Sequence, residues 1–169
     1  EGIKVDAKTG GYRAQLVGYV GAFVVVVDDA GAGKDYMDEA IRDGKDLTAT
    51  LLAAAVIPAG GGEIHVNLNV LTTAAAIQAG IPAGGPGKQV VLADGVLAAN
   101  KAVGQAFDLA NILTDTVVTT VDADGQDVVA PNAYGLVLAA LSGADKVDSM
   151  SATIDALVKS VKTTGQLAV

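Results

Sequence analysis

The chain has 169 residues, of which 51% are hydrophobic, and it contains no Cys, no Trp and a single His. Because enzymes draw many of their nucleophiles, general bases and metal ligands from residue types that are scarce here, this composition disfavours catalysis. The 11 Lys and Arg against 19 Asp and Glu give a formal charge of -8, which disfavours nucleic acids and anionic membrane surfaces as partners.

The N-terminal part of the chain is predicted to be rich in β-strand. Tyr12 to Tyr19 is a short strand candidate, and the β-branched run from Ala22 to Asp28 is typical of a strand buried on both faces. The segment from Leu47 to Ile57 fits a strand or a helix, but the Pro and the three Gly that follow favour a strand leading into a hairpin. The next arm is Glu63 to Asn69, where polar and apolar residues alternate as in a half-buried strand.

Beyond residue 70 the hydrophobic period becomes helical. Leu71 to Ala79 is predicted to be a helix with Asn69 as its N-cap, and Gln89 to Leu109 is predicted to be a second helix. Ala133 to Leu141 and Ser149 to Val161 are predicted to be a third and a fourth. The second helix has an apolar stripe that must be buried, formed by Leu92, Val96, Ala99, Val103 and Phe107. The last helix has a similar stripe, formed by Met150, Ile154, Leu157 and Val161.

This order of elements, strands first and helices second, favours an α+β fold over alternating βαβ units. We therefore predict a β-rich unit over residues 1–69 and a helical subdomain over residues 70–169, whose tail from Gly165 to Val169 is strand-like. The longest stretch without formal charge, Ile64 to Gly87, is interrupted by two Pro and several Gly. Since a membrane-spanning helix needs ~20 mainly apolar residues without such breaks, we predict no membrane insertion.

Three carboxylates lie close together in the sequence at Asp122, Asp124 and Asp127. Calcium binds several oxygen ligands at once, so this pattern predicts a metal site for calcium, the one cofactor that the sequence suggests. The spacing differs from that of an EF-hand loop, because Gly stands at the fourth position and no Glu follows at the twelfth. The alternative interpretation is a solvated Asp-Gly turn between two Val-rich arms. A second acidic cluster carries the same two interpretations: Asp28, Asp29 and Asp35.

The segment from Asp46 to Ala79 resembles a module of very large repetitive bacterial surface adhesins. In those proteins an Ig-like or carboxypeptidase-regulatory-like β unit runs into a small helical unit through an N-P-L-T-like junction. Here the junction is N-V-L-T at residues 69–72, with Val70 at the position of the Pro. Further segments are similar to the same modules: Asn100 to Leu113, Asn132 to Asp145 and Ser149 to Val158.

The resemblance implies that residues 1–69 form an antiparallel, β-sandwich-like, Ig-like unit. Such a sandwich begins with further strands before the position of Tyr12, yet only eleven residues precede Tyr12 here. We therefore expect a sandwich that lacks strands and has an edge in need of cover. The tail from Gly165 to Val169 is the candidate cover, either by folding back or by pairing with a neighbouring subunit through strand addition.

The function that the resemblance implies is that of an extracellular bacterial adhesin or matrix component without enzymatic activity. Together with the apolar surplus, it predicts a structural protein, secreted or on the cell surface. Its partners would be copies of itself, assembled by subunit contacts such as strand donation into a filament, sheath or adhesive array. The alternative is a single adhesin repeat that binds a ligand on a host or matrix surface and is stabilised by calcium.

Overall fold

The structure is a computed structural model that describes residues 3–6, 10–29, 31–145, 149–161 and 165–167. Within these residues the fold is mixed α and β, with two antiparallel sheets of two strands each and four helices. The strands are β1 (Gly21–Val27), β2 (Tyr36–Asp38), β3 (Asp43–Lys45) and β4 (Leu51–Ile57). The helices are α1 (Val70–Gln78), α2 (Ala93–Ala106), α3 (Ala133–Asp145) and α4 (Met150–Ser160).

The larger sheet pairs β1 with β4. Gly21 lies opposite Ile57 and Val27 lies opposite Leu51, so all seven residues of each strand are in register. The β-branched run of β1 is therefore a strand, as its sequence predicts. The ambiguous segment before Pro58 is a strand as well, but its partner is β1 and not the segment from Glu63 to Asn69.

The antiparallel β-sandwich-like unit expected over residues 1–69 is not found in the part of the chain that the structure describes. Neither Tyr12 to Tyr19 nor Glu63 to Asn69 forms a strand. The physical reason is that α1 and α2 pack against β4 and occupy one face of the sheet, where a second sheet would otherwise lie. An alternating pattern predicts which side of a segment is apolar, but a strand also needs a partner edge.

Helix α1 lies at the centre of the fold and contacts β4, α2 and α4. The Oδ1 atom of Asn69 accepts hydrogen bonds from the backbone N–H groups of Leu71 and Thr72, at 3.0 and 3.2 Å. The Asn69 N–H donates to the Thr72 hydroxyl in return, which completes a capping box. Gly80, with φ of +90°, follows the last turn. The predicted helix and its N-cap are thus confirmed.

The core is built mainly on the inner faces of the helices. The apolar stripe predicted for the last helix is confirmed, since all four of its residues are buried. The stripe of α2 is only partly confirmed, because Leu92 precedes the helix and is 71% exposed.

Helix α3 continues past Leu141 to Asp145. No helix in the described ranges has both the length and the apolar character to cross a bilayer. The division of the chain between residues 69 and 70 stays a prediction.

Candidate functional site

Side chains from two helices cover the outer edge of β4 at Leu52 and Ala54. The Leu52 N–H donates to Oγ1 of Thr73 in α1 at 2.9 Å. The Asn100 side chain of α2 donates from Nδ2 to the Ala54 carbonyl, also at 2.9 Å. In an antiparallel pair, successive residues direct their backbone groups alternately toward the partner strand and away from it. Leu52, Ala54 and Val56 are therefore the residues that face away from β1, and the helices bond to the N–H of Leu52 and the carbonyl of Ala54.

The outer edge of β1 is open. Ala22, Val24 and Val26 lie opposite Val56, Ala54 and Leu52. By the same alternation, the backbone groups of these three residues of β1 point away from β4. The Ala22 carbonyl accepts a hydrogen bond from the Tyr19 hydroxyl. Within the described ranges, no hydrogen bond reaches the N–H or carbonyl group of Val24 or Val26 on this side. We call these three residues the open edge; an edge of this kind can accept a further strand.

A groove of about 1480 Å³ lies beside the open edge. Its walls are β1, residues 10–20 and residues 59–68. The two outer walls are joined by the Tyr12 hydroxyl, which donates to the Val66 carbonyl at 2.6 Å, and by an exposed ion pair of Arg13 with Glu63 at 3.0 Å. Several large apolar side chains of these walls are exposed: Leu16, Val17, Tyr19, Val20 and Ile64. Clustered exposed apolar residues next to an open edge are typical of an interaction surface.

The predicted calcium loop is organised by hydrogen bonds within the chain. Oδ1 of Asp122 accepts from the backbone N–H groups of Asp124 and Gln126, each at 2.9 Å. Gly125 has φ of +75°, and a Cβ atom there would lie 2.7 Å from the Arg42 carbonyl oxygen. The loop therefore has the form of a tight Asp-Gly turn packed against the β2–β3 connection.

The third residue of that set points elsewhere. Asp127 forms an ion pair with Arg42, with 2.6 Å between Oδ1 and Nη2. In the described part of the chain, the carboxylate oxygens of Asp122, Asp124 and Asp127 do not all lie within 4.8 Å of one another. The calcium site at these residues stays a prediction, because bound calcium could draw the loop together.

A different acidic cluster is assembled by the fold: oxygens of Asp29, Asp35 and Asp46 lie within 4.8 Å of one another. Sequence spacing groups Asp28 with the first two, but Asp28 instead accepts a hydrogen bond from the Thr50 hydroxyl at 3.0 Å. Asp46 is missed because it is distant in sequence. Each carboxylate of the cluster already accepts a backbone N–H, from Gly31, Leu47 and Gly33 respectively. Through these hydrogen bonds the three carboxylates stabilise the conformation of the loop, and this structural role accounts for the cluster.

A buried charged cluster joins the β2–β3 hairpin to α3. Asp38 is 1% exposed; its Oδ1 accepts from the Ser142 hydroxyl at 2.7 Å, and its Oδ2 lies 3.2 Å from Nζ of Lys45. Burial by itself would raise the pKa of Asp38, but the hydrogen bonds from Ser142, Lys45 and two backbone N–H groups outweigh it and lower that pKa. Asp145 is 5% exposed, and burial raises its pKa. Its Oδ1 has no hydrogen-bond partner among the described residues.

Two further side chains of chemical interest are those of Tyr134 and His65. The Tyr134 hydroxyl donates to the Ile112 carbonyl at 2.6 Å and accepts from Nδ2 of Asn69 at 2.9 Å. Burial raises the pKa of Tyr134 to about 12, so the phenol is neutral at physiological pH. His65, the single histidine of the chain, lies exposed on the wall of the groove.

Comparisons with known protein families, with curated proteins and with solved structures found no match to this chain. Its function is therefore argued from its own geometry. The feature with the clearest unused bonding capacity in the described ranges is the open edge, because an exposed row of backbone donors and acceptors can bind a strand.

Proposed function

We propose that this chain is a structural, non-enzymatic subunit that assembles with copies of itself outside the cell or on its surface. The open edge is the place where copies join. The observation that carries this proposal is the contrast between the two edges of one small sheet. Thr73 and Asn100 bond to the buried Leu52 and Ala54 on the β4 side, whereas Val24 and Val26 on the β1 side have no hydrogen-bond partner among the described residues. A subunit built in this way accepts a strand at β1, because helices cover the corresponding part of β4.

The free energy of association needs contributions from both the open edge and the groove. Val24 and Val26 offer two N–H and two carbonyl groups, and four net hydrogen bonds contribute roughly 2–6 kcal/mol in total. Association costs an estimated 4–15 kcal/mol of translational and rotational freedom, so these bonds alone are insufficient. The exposed Leu16, Val17 and Val20 beside the edge supply apolar area, at roughly 25 cal/mol for each Å² removed from water. Stable assembly thus needs the contact between copies to bury these side chains.

The remaining parts of the proposal rest on sequence. Strand addition between identical copies is a heterologous contact when the donated strand and the acceptor edge are different segments, and such contacts propagate into open fibres when they do not close into a ring. The resemblance to modules of bacterial surface adhesins supports an extracellular location and a role in a filament, sheath or adhesive array. The formal charge of -8 disfavours non-specific association of the subunits, so a specific contact must hold them together.

The test is a pair of substitutions at Val26, which is 42% exposed and lies in the open edge. Val26→Lys should leave the fold intact but oppose strand addition, because a lysine on an edge disfavours pairing. Val26→Thr is the matched control, since it keeps the size, the branching and the neutrality. Electron microscopy and sedimentation velocity should show polymers for the wild type and for Val26→Thr, but folded monomers for Val26→Lys, as judged by its circular dichroism spectrum. A wild type that stays monomeric, or undiminished polymers of Val26→Lys, would contradict the proposal.

A further inference from the structure

We infer that the strand that fills the open edge is residues 12–20 of a second copy, which we call the donor segment. This inference rests on the proposed function and names the partner segment for the same site. It also replaces the C-terminal tail, which the sequence suggests as the donor, with a segment near the start of the described chain.

The backbone of the donor segment is unused. Its hydrogen bonds and its ion pair are made by three side chains, those of Tyr12, Arg13 and Tyr19. No hydrogen bond among the described residues reaches a backbone N–H or carbonyl group of residues 12–20. The segment and the open edge therefore both have backbone N–H and carbonyl groups without hydrogen-bond partners, and a β-ladder between them pairs these groups.

The side chains of the donor segment suit a strand at this edge. Residues 13–20 are all exposed, with Val17 at 85% and Val20 at 55%. The segment is rich in Tyr, Val and Leu, contains no Pro and carries one charge, at Arg13. Strand β1 carries no charge, so no like-charge pair opposes the contact. The nine residues of the segment are enough to pair along the seven residues of β1 once the turn at residues 17–18, where Gly18 has φ of +69°, becomes extended.

The tail is already engaged in its own chain. Leu167 forms an antiparallel bridge with Val161 at the end of α4. Gly165 has φ of +73° and packs so closely on Gln105 that a Cβ atom would lie 2.6 Å from Oε1. Residues 165–167 fold back onto the end of α4, and not onto the edge of the β unit that the sequence predicts them to cover. Donation of these residues would first have to break a backbone bridge, whereas donation of residues 12–20 breaks only the side-chain contacts of Tyr12, Arg13 and Tyr19.

The geometry favours pairing between copies over pairing within one chain. Residue 20 is followed directly by β1, and the chain turns at residues 17–18, where Gly18 has φ of +69°, so only residues 12–16 could fold back along their own open edge. Beside this turn the Tyr19 hydroxyl is bound to the Ala22 carbonyl, the first acceptor of the open edge. Residues 12–13 instead lie against residues 63–66, where the side chains of Tyr12 and Arg13 hold them. The segment of a second copy, extended through residues 17–18, can pair along the whole of β1.

The absence of cysteine from the chain makes disulfide trapping unambiguous. The acceptor variant is Val26→Cys, and the donor variants are Gln15→Cys, Leu16→Cys and Val17→Cys, which cover both faces and neighbouring registers. Each donor variant of the full chain is mixed with the acceptor variant, allowed to polymerise and oxidised. Mass spectrometry then identifies which peptides are joined. A disulfide forms only where Cβ atoms approach to about 3.5–4.5 Å, so at least one donor variant should link to Cys at position 26 of another chain. Leu167→Cys, mixed in the same way, should not.

The outcomes separate the two proposals. Polymers in which position 26 links to position 167, or to no donor position, overturn the donor assignment and leave the proposed function standing. A double variant, Leu16→Cys with Val26→Cys, that closes its disulfide within the monomer shows a hairpin within one chain and also overturns the assignment. The absence of polymers from the wild type overturns the proposed function itself. Circular dichroism of each variant before oxidation confirms that it is folded.

Discussion

The hydroxyl of Thr73 accepts a hydrogen bond from the Leu52 N–H at 2.9 Å, so a side chain on a helix satisfies an outward-facing backbone group of β4. Thr73 and Leu52 are both buried, at 1% and 0% exposure. The same hydroxyl lies 2.8 Å from the Asn69 carbonyl one helical turn earlier. This contact is the reason that β4 has no free edge at Leu52.

Replacing Thr73 tests that contact. Thr73→Val keeps the shape but leaves the buried Leu52 N–H without an acceptor, which should lower the free energy of unfolding by about 1–3 kcal/mol. Thr73→Ser is the control, since it keeps the hydroxyl and loses one methyl group. Urea unfolding followed by circular dichroism measures both. A serine variant as unstable as the valine variant would show that the methyl group, and not the hydroxyl, is what matters.

Asn69 has two separate bonding roles, which can be tested one at a time. Its Oδ1 caps α1, and its Nδ2 donates to the Tyr134 hydroxyl at 2.9 Å. Asn69→Ala removes both and should cost about 1–2 kcal/mol for the cap, with a further loss for the second bond. Asn69→Asp keeps the capping oxygen and removes the donor, so its thermal unfolding should lie between those of the wild type and Asn69→Ala. Equal melting temperatures for the two variants would exclude the capping role.

Asp145 should make stability depend on pH. Burial raises its pKa in the folded protein above the unfolded value, so the folded state binds the proton more tightly. Stability is therefore lost as the pH rises from the unfolded pKa of about 3.9 through the raised folded value. Asp145→Asn should raise the melting temperature at neutral pH and have little effect near pH 3. Asp155→Asn, at an exposed position of α4, is the control and should show no such pH-dependent gain.

Asp38 should respond to pH in the opposite direction. Its pKa is lowered, so its contribution to stability is present above the unfolded pKa and is lost as the pH falls through the folded value. Ser142→Ala removes one of the bonds that hold the carboxylate and should cost about 1–3 kcal/mol at neutral pH, with a smaller cost in acid. Ser151→Ala, exposed on α4, serves as the control. A cost that is the same at both pH values would contradict the assignment of this bond to the ionised carboxylate.

The Asp122 loop distinguishes a turn from a calcium site. Asp122→Ala removes the acceptor of two backbone N–H groups and should destabilise the protein by about 1–2 kcal/mol, with or without a chelator. Asp124→Ala should have little effect, because no hydrogen bond or ion pair among the described residues involves its carboxylate. Differential scanning calorimetry with calcium or with EDTA measures both. If calcium raises the melting temperature of the wild type and both variants lose that gain, the calcium prediction is supported instead.

The elements that the sequence predicts well are those with local causes. The cap at Asn69 and the stripe of α4 depend on residues within a few positions of each other, and both appear as expected. The pairing of β1 with β4 depends on segments more than twenty residues apart, and nothing in their composition selects that partner over residues 63–69. The β2–β3 hairpin has strands of only three residues, too short for a clear alternation.

The candidate site was beyond sequence reasoning for a related reason. Thr73 and Asn100 look like ordinary polar positions of two helices, and their role exists only because the fold brings both against β4. An edge strand is open when no other segment of the chain pairs with it, and this cannot be read from the sequence of the strand alone. The resemblance to adhesin modules predicts an incomplete sheet with an exposed edge, but it also predicts a sandwich that the described residues do not form.

A sheet closed on one side and open on the other gives the assembled material a polarity. If each copy has one acceptor and one donor, the two ends of a growing fibre are chemically different: one ends in an empty acceptor, the other in a free donor. A subunit altered only at Val26 could still donate its segment, so it would join one end and then stop growth there. Small amounts of such a subunit would shorten the fibres without dissolving them, and the shortening would reveal the direction of growth.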